Sequence, residues 1–163
     1  MPKLLKNNLL VANSCQTLAK EFAGPLPTGP VLIPLRYWVS HRDTLELQPH
    51  QGVWLDSDED PDALADDIPR LACVGVNFQT FMDGRGFSLG RLLRERYGFR
   101  GELRALGHII ADQLFYLKRC GFDSFEVADD FDPAASPAFL DAFSVTYQAA
   151  ADNPLPLFRR SLG

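Results

Sequence analysis

The sequence predicts an α/β fold of alternating strand–helix units around a mainly parallel sheet of about five strands. Between residues 71 and 127, short apolar runs alternate with segments that have the 3.6-residue period of amphipathic helices. The links between them are short and contain glycine, as in strand–helix connections of parallel sheets. The apolar runs are almost free of charge, which is typical of strands covered on both faces. An open sheet is preferred, and a partial (βα) barrel with the same alternation is the alternative.

Within this region the pattern predicts each element and its ends. In chain order these are a strand at Leu71–Phe78, a turn at Gln79–Gly86, a helix from Ser88 to about Tyr97, a strand at Glu102–Leu106, a helix at Ile109–Cys120 and a strand at Ser124–Val127. Ser88 is predicted as an N-cap or first-turn residue. Gly98 and Gly121 are predicted to end the two helices.

The flanking regions carry weaker patterns. Upstream they predict an edge strand at Leu9–Val11, a helix or turn at Ser14–Phe22, a rigid loop at Gly24–Pro30, a strand at Val31–Leu35, a helix or irregular turn at Tyr37–Leu47, a strand at Val53–Leu55 and a short helix at Asp62–Ile68. Downstream they predict a loop at Ala128–Pro133, a helix at Ser136–Ala151 and a tail at Asp152–Gly163. We expect one domain over residues 1–163, with an N-terminal arm at 1–30 and a C-terminal tail at 152–163.

Charge is unevenly distributed on an acidic chain. The formal net charge of −5 argues against a nucleic-acid-binding protein. Arg85–Arg104 nevertheless holds six arginines and only two acids, which suits a small anion or an acidic partner. Asp56–Asp67 holds seven acids and no base. These acids either bind a divalent cation or, as we favour, accompany a helix N-terminus after Asp60-Pro61.

The cysteine and histidine pattern predicts reduced thiols and no metal site. Cys15, Cys73 and Cys120 form no CxxC pair, and the three histidines have no ligand spacing with them. With no signal peptide and no long apolar run, a cytoplasmic protein without membrane association is expected. Cys73 is predicted as a core residue, and a redox role for Cys120 is a less favoured alternative.

The Asp83-Gly84-Arg85-Gly86 sequence is the candidate site. Ligands of parallel sheets collect beyond the carboxyl ends of strands, where the loops Gln79–Ser88, Gly107-His108 and Ala128–Asp132 are predicted to lie. Four residues of the first loop are the predicted anion-binding group: Gly84, Arg85, Gly86 and Ser88. The alternative is a tight turn capped by Asp83, with Arg85 in water. Neither GxGxxG nor GxxxxGK[ST] is present, so no nucleotide or other cofactor is predicted.

Several long runs resemble one bacterial family. They are Phe81–Ser88, Leu92–Gly98, Gly101–Ala105 and Asp112–Asp123, with weaker similarity at Val31–Leu35 and Gly52–Asp58. The family is one of domains of unknown function, often labelled as oxidoreductases, whose genes commonly lie beside the assimilatory sulfite reductase gene. The resemblance covers roughly Val31 to Val127. Its members usually have Thr and Asp where this chain has Met82 and His108.

This resemblance implies a role in sulfate assimilation, as an accessory protein of sulfite reductase. Five residues would then face the partner or its substrate: Arg91, Arg94, Arg104, Asp112 and Gln113. The alternative is an enzyme, an oxidoreductase by family label, that acts on a small anion held at Asp83–Ser88. Asp83 and His108 are its weak candidates for moving protons.

The segment Ile109–Cys120 is apolar around much of its circumference, with Ile110, Leu114 and Leu117 along one line. A helix of this kind packs against more than one layer. The second layer is predicted to be another copy of the chain, which makes a homodimer.

Overall fold

The computed structural model describes residues 3–7, 9–80, 83–132 and the backbone of 146–147. The strands are β1 Lys3–Lys6, β2 Leu9–Ala12, β3 Gln16–Thr17, β4 Val31–Pro34, β5 Gln51–Asp56, β6 Cys73–Phe78, β7 Glu102–Gly107, β8 Ser124–Val127 and β9 Thr146–Tyr147. The α-helices are α1 Leu35–His41, α2 Gly84–Glu95 and α3 Leu114–Arg119. Short 3₁₀ helices occupy Pro61–Leu64, Ile68–Arg70 and Ala111–Gln113.

All the strands belong to one sheet, in the order β3-β4-β5-β6-β7-β8-β1-β2-β9. The six strands from β3 to β8 are parallel, β1 is antiparallel to both β8 and β2, and β9 is parallel to β2. The predicted α/β class and mainly parallel sheet are confirmed. The expected number of about five strands is wrong, because eight strands lie between residues 3 and 127 and β9 adds another. Of the N-terminal strands, β2 was predicted, whereas β1 and β3 are stabilised by pairing with β8 and β4, which local propensity does not reveal.

The connection between β2 and β3 forces this sheet to curl. Only Asn13, Ser14 and Cys15 join the two strands, although six strands separate them in the sheet. In a flat sheet these strands would lie about 34 Å apart, whereas the connection spans at most about 14 Å. The sheet is open, as predicted, and its curl brings the two ends near each other.

Alternation along the strands gives the sheet two different faces. Outward-facing residues such as Val53, Val74 and Leu103 join the main core with the helices. The inner face holds a smaller cluster of Leu32, Trp54 and Leu106. Because β4 to β8 follow one another in sequence order, right-handed crossovers keep all their connections on the outer face.

Helix α2 begins four residues earlier than the sequence predicts. Asp83, rather than Ser88, is its N-cap, because the Asp83 carboxylate accepts a hydrogen bond from the Arg85 amide. Gly84 and Gly86 therefore lie in the first helical turn, and neither has a positive φ. Gly86 is required for packing, since a Cβ there would collide with the Phe78 ring.

Other predicted elements are confirmed or corrected as follows. Gly98 and Gly121 follow α2 and α3 with φ of 67° and 107°, so both act as the predicted helix stops. The predicted helix at Ile109–Cys120 is wrong in its first half, because Ile110 is extended and a 3₁₀ helix precedes α3. The segment 14–22 contains β3, which was not predicted, and then a turn at Lys20 and Glu21, which agrees with the turn alternative.

The C-terminal predictions fall almost entirely outside the described residues. Of the predicted helix at Ser136–Ala151, only Thr146–Tyr147 is described, and this pair forms β9 rather than helix. The predicted tail at 152–163 lies outside the described residues. Within the described part of the chain, no helix has both the length and the apolar character needed to cross a membrane.

The acidic segment after β5 serves local structure. Asp60 caps the 3₁₀ helix at Pro61–Leu64 by accepting from the Asp62 amide, which confirms the favoured interpretation of these acids. Asp67 is buried. It accepts a hydrogen bond from Trp38 Nε1 and forms ion pairs with Arg42 and Arg70. Among the described residues, no group of three or more potential ligands is placed to hold a metal ion.

Packing of α2 on the core predicts a position-specific effect of adding one methyl group. A Cβ at Gly90 would collide with the buried Phe122 ring. Gly90→Ala should therefore lower the free energy of unfolding by about 1–3 kcal/mol, despite its better helix propensity. Gly84→Ala, in the same helix with open space around it, is the control and should gain at most about 1 kcal/mol. Urea denaturation measures both, and equal stability of the two variants would contradict this packing.

Candidate functional site

The carboxyl ends of β5 and β6 and the start of α2 border an open surface cavity of about 700 Å³. Its lining combines polar and apolar residues: Ser57, Glu59, Pro61, Thr80, Asp83, Gly84, Arg85, Ser88, Leu89 and Leu92. The position agrees with the rule that ligands of parallel sheets collect beyond the carboxyl ends of strands. Three of the four predicted anion-binding residues, Gly84, Arg85 and Ser88, line this cavity, whereas Gly86 is buried under Phe78.

Asp83 is the centre of charge in this cavity. Its carboxylate caps α2, accepts from Arg85 Nε at 3.0 Å and accepts a hydrogen bond from the Ser57 hydroxyl. The hydrogen bond from Arg85 is the main reason that the pKa of Asp83 lies below its ordinary value. The positive end of the helix and the Arg85 guanidinium thus already share an internal carboxylate. This arrangement matches the alternative of a turn capped by Asp83, and Arg85 is more than half exposed.

A second polar cluster lies beside it at the end of β5. Asp56 is buried, and it accepts from Asn77 Nδ2 at 2.7 Å and from Lys20 Nζ at 2.6 Å. Burial alone would raise the pKa of Asp56, but the hydrogen bonds from Asn77 and Lys20 outweigh it and the pKa is lowered. Asp56 and Asn77 are register partners on adjacent strands.

Sequence reasoning missed Lys20, Ser57 and Asn77 as members of this region. Asn77 lies near the end of the predicted strand Leu71–Phe78 and is the register partner of Asp56. Parallel pairing of the two predicted strands would therefore have placed Asn77 beside Asp56. Lys20 lies thirty-six residues before Asp56 in a segment predicted as helix or turn, and no local signal indicates its contact.

The two candidate proton-transfer residues are not brought into one cavity. His108 is exposed after β7, where its backbone amide donates to the Phe78 carbonyl. It is not among the residues that line the cavity around Asp83. The geometry therefore supplies no acid–base pair of Asp83 and His108.

The predicted partner-facing arginines have different environments. Arg91 is exposed on α2, and its guanidinium lies 3.9 Å from Cys120 Sγ. Arg94 donates to the carbonyls of Phe99, Gly101 and Gly121, so it fastens the end of α2 to two loops.

Of the three remaining residues predicted to face a partner, two lie at the surface region before α3. Asp112 and Gln113 belong to the 3₁₀ helix that precedes it, and Asp112 is exposed. Arg104 is buried on the inner face of the sheet, away from this region. Arg91 and Asp112 thus remain candidates for an exposed surface.

A groove of about 460 Å³ separates α2 from α3 on the outer surface. Leu92 and Tyr116 line it together with Arg91, and Tyr116 packs against Phe87 with ring centroids 5.0 Å apart. Buried Cys120 lies at its base, which leaves little access for the alternative redox role. The groove is a second candidate for binding, and it adjoins the Asp83 cavity across α2, since Gly84, Ser88 and Leu92 line both.

These features define a curled α/β-sheet protein with its candidate site at the carboxyl ends of the strands. The sequence model of the family described as "Bacterial protein of unknown function (DUF934)" matches residues 52–158. This is more than half of the chain, and the protein belongs to that family. No curated protein and no solved structure matches it significantly.

The lowered pKa of Asp83 predicts that the stability of the protein depends on pH. A carboxyl with a lowered pKa stabilises the folded state above its unfolded pKa of about 4, and this contribution is lost as the pH falls further. Asp83→Ala should cost about 1–2 kcal/mol at neutral pH, since the helix cap is lost. Asp83→Asn keeps a capping oxygen and should cost less.

Both Asp83 variants should lose less stability than the wild type between about pH 5 and about pH 3. Urea denaturation across this range measures the difference. An unchanged acid dependence in both variants would show that the Asp83 charge does not contribute.

Proposed function

We propose that this protein is an accessory protein of sulfate assimilation that binds sulfite reductase through the surface of α2 and α3. Family membership supports a shared role with the proteins that the sequence resembles, and that resemblance links them to sulfite reductase. The observation that carries the binding mode is a set of large exposed apolar side chains on these two helices, of which Leu92 and Tyr116 line the same groove.

The α2–α3 surface is defined by Arg91, Leu92, Phe115, Tyr116 and Arg119. Phe115 and Tyr116 are each 51% exposed and Leu92 is 39% exposed. Solvation of large aromatic side chains is unfavourable, and clustered apolar side chains ringed by polar ones are typical of protein-binding surfaces. Tyr and Arg are also the residue types that most often dominate binding energy.

The charges at the edge of this surface favour an acidic partner. Arg119 lies over the Phe115 ring at 5.8 Å, and Arg91 lies at the groove between the helices. Rim charges of this kind increase association rates with a partner of opposite sign. A protein partner with a negative patch therefore suits the surface better than a small apolar ligand does.

Substitutions on the α2–α3 surface should break the complex without unfolding the protein. Leu92→Glu and Phe115→Glu should each raise the Kd for purified sulfite reductase of the same bacterium at least tenfold, about 1.4 kcal/mol. Val39→Glu is the matched control, because Val39 is 43% exposed on α1. Biolayer interferometry measures the Kd, and circular dichroism checks the fold.

Three results of this experiment would decide the proposal. Loss of binding in the two α2–α3 variants but not in Val39→Glu would support it. Absence of binding by the wild type would contradict the accessory role. Sedimentation of the wild type alone as a dimer that Phe115→Glu dissociates would assign this surface to the predicted homodimer instead.

The second candidate is an enzyme acting on a small anion at Asp83–Ser88. The cavity over that turn favours it, since Arg85, Ser88 and the Gly84 backbone line a space large enough for a small substrate. A ligand at one hundred times its Kd should stabilise the protein by about 2.7 kcal/mol. This stabilisation by sulfite, sulfate or phosphate should disappear in Arg85→Ala, and its persistence there would contradict binding at the turn.

A further inference from the structure

The inner face of the sheet contains a third polar cluster, at the amino-terminal ends of the strands and therefore opposite the Asp83 cavity. Gly52, Cys73 and Glu102 are neighbours across the amino-terminal ends of β5, β6 and β7, with Arg104 two residues further along β7. Because side chains alternate along a strand, Arg104 shares the inner face with Glu102 and Cys73. The Asn13–Cys15 connection brings Cys15 beside this cluster.

Arg104 is a buried arginine, and one of its three guanidinium nitrogens has no hydrogen-bond partner among the described residues. Its side chain is only 8% exposed. Glu102 Oε1 accepts from Arg104 Nη2 at 2.9 Å and from Nε at 3.3 Å, which fixes the plane of the guanidinium. Among the described residues, Arg104 Nη1 is buried without a hydrogen-bond partner. A buried charged donor without a hydrogen bond lowers the stability of the fold more than a neutral one does. An acceptor that bonds Nη1 would therefore be stabilising.

Arg104 lines a cavity of about 390 Å³. The other polar groups around it include Lys6, Asn13, Ser14, Cys15, Cys73 and Glu102. Lys6 Nζ lies 3.3 Å from Glu102 Oε2, so the Glu102 carboxylate forms ion pairs with both Lys6 and Arg104. The charged residues of the lining are thus two cations and one anion, a net charge of +1.

Glu126 and two thiols are the neighbouring groups that could offset this positive charge. Glu126 accepts from Asn13 Nδ2 at 3.1 Å and does not line the cavity. Burial raises the pKa of Glu126, and the nearby charge of Arg104 acts in the opposite direction. Burial raises the pKa of the Cys73 thiol to about 12, and burial also raises the pKa of Cys15. Both thiols are therefore protonated at neutral pH and add no negative charge.

We propose that this inner cavity binds a small oxyanion, with Arg104 Nη1 as the principal donor and Glu102 holding the guanidinium in place. An oxyanion supplies acceptor oxygens to a charged donor that lacks one, and charge-assisted hydrogen bonds of this kind are the stronger ones. Lys6 and the Ser14 hydroxyl stand at the same cavity as additional donors.

The inner site differs from the Asp83 turn in how its arginine is used. Arg85 is largely exposed and pairs with Asp83, so an anion there must compete with an internal carboxylate. Arg104 is shielded from solvent, where the interaction between opposite charges is stronger. The inner site is independent of the proposed binding of sulfite reductase, which uses the outer surface.

Isothermal titration of the full chain with sulfate, sulfite, phosphate and acetate, at constant ionic strength in chloride, tests the inference. One or more of these anions should bind the wild type, and comparison of their Kd values identifies the preferred shape and charge of the ligand. Arg104→Met keeps the length of the side chain and should raise the Kd at least tenfold. Arg36→Met, at an exposed arginine of α1, is the matched control and should bind as the wild type does.

Two further variants keep the test decisive. Ser14→Phe places a large ring at the exposed rim of the cavity and should also raise the Kd at least tenfold, so it decides the question if Arg104→Met does not fold. Arg85→Ala separates this site from the Asp83 turn, and a binding component should survive in it.

The inference is overturned if none of the four anions binds the wild type in the millimolar range. It is also overturned if Arg104→Met and Ser14→Phe both bind as tightly as the wild type, or if Arg85→Ala abolishes all binding.

Discussion

The connection of three residues between β2 and β3 is the constraint on which the rest of the structure depends. It joins strands from opposite ends of an eight-strand run, so the sheet has to curl. The curl separates an outer face packed under helices from an inner face packed around Leu32, Trp54 and Leu106. It also brings Cys15 over the inner face, where the cavity beside Arg104 forms. An open flat sheet with the same strands would have no inner cavity.

The charged side chains are paired differently at the two ends of the strands, which are called here the carboxyl edge and the amino edge of the sheet. At the carboxyl edge, Asp83 neutralises Arg85 and the start of α2, while Asp56 pairs with Lys20. At the amino edge, Glu102 is shared by two cations, and one nitrogen of Arg104 is left over. Ligands of parallel sheets usually bind at the carboxyl ends of the strands, which favours the carboxyl edge as a binding site. The buried donor of Arg104 that lacks an acceptor favours the amino edge instead.

Much of the fold and part of the candidate site could be predicted from the sequence. The run of apolar and amphipathic segments predicts β6, β7, β8 and most of α2, because their periods are set by local geometry. The position of the Asp83 turn at the carboxyl ends of the strands was predicted, and so was Asp83 as an alternative cap. The predicted helix start, with Ser88 as N-cap or first-turn residue, was wrong because Gly84 and Gly86 resemble turn residues, although Gly86 leaves room for the Phe78 ring.

The sequence by itself determined the α/β class, the strand–helix alternation, the glycine stops after α2 and α3, and the uneven distribution of charge. These features depend on residues close together in the chain, where backbone geometry and side-chain period act directly. Only the tertiary structure decided the number of strands, the curl and the partners of Asp56, Asp83 and Arg104. Each of these arises from contacts between distant segments, whose pairing energy is absent from any local pattern. The structure therefore revealed the inner cavity and its free arginine donor, which local patterns did not predict.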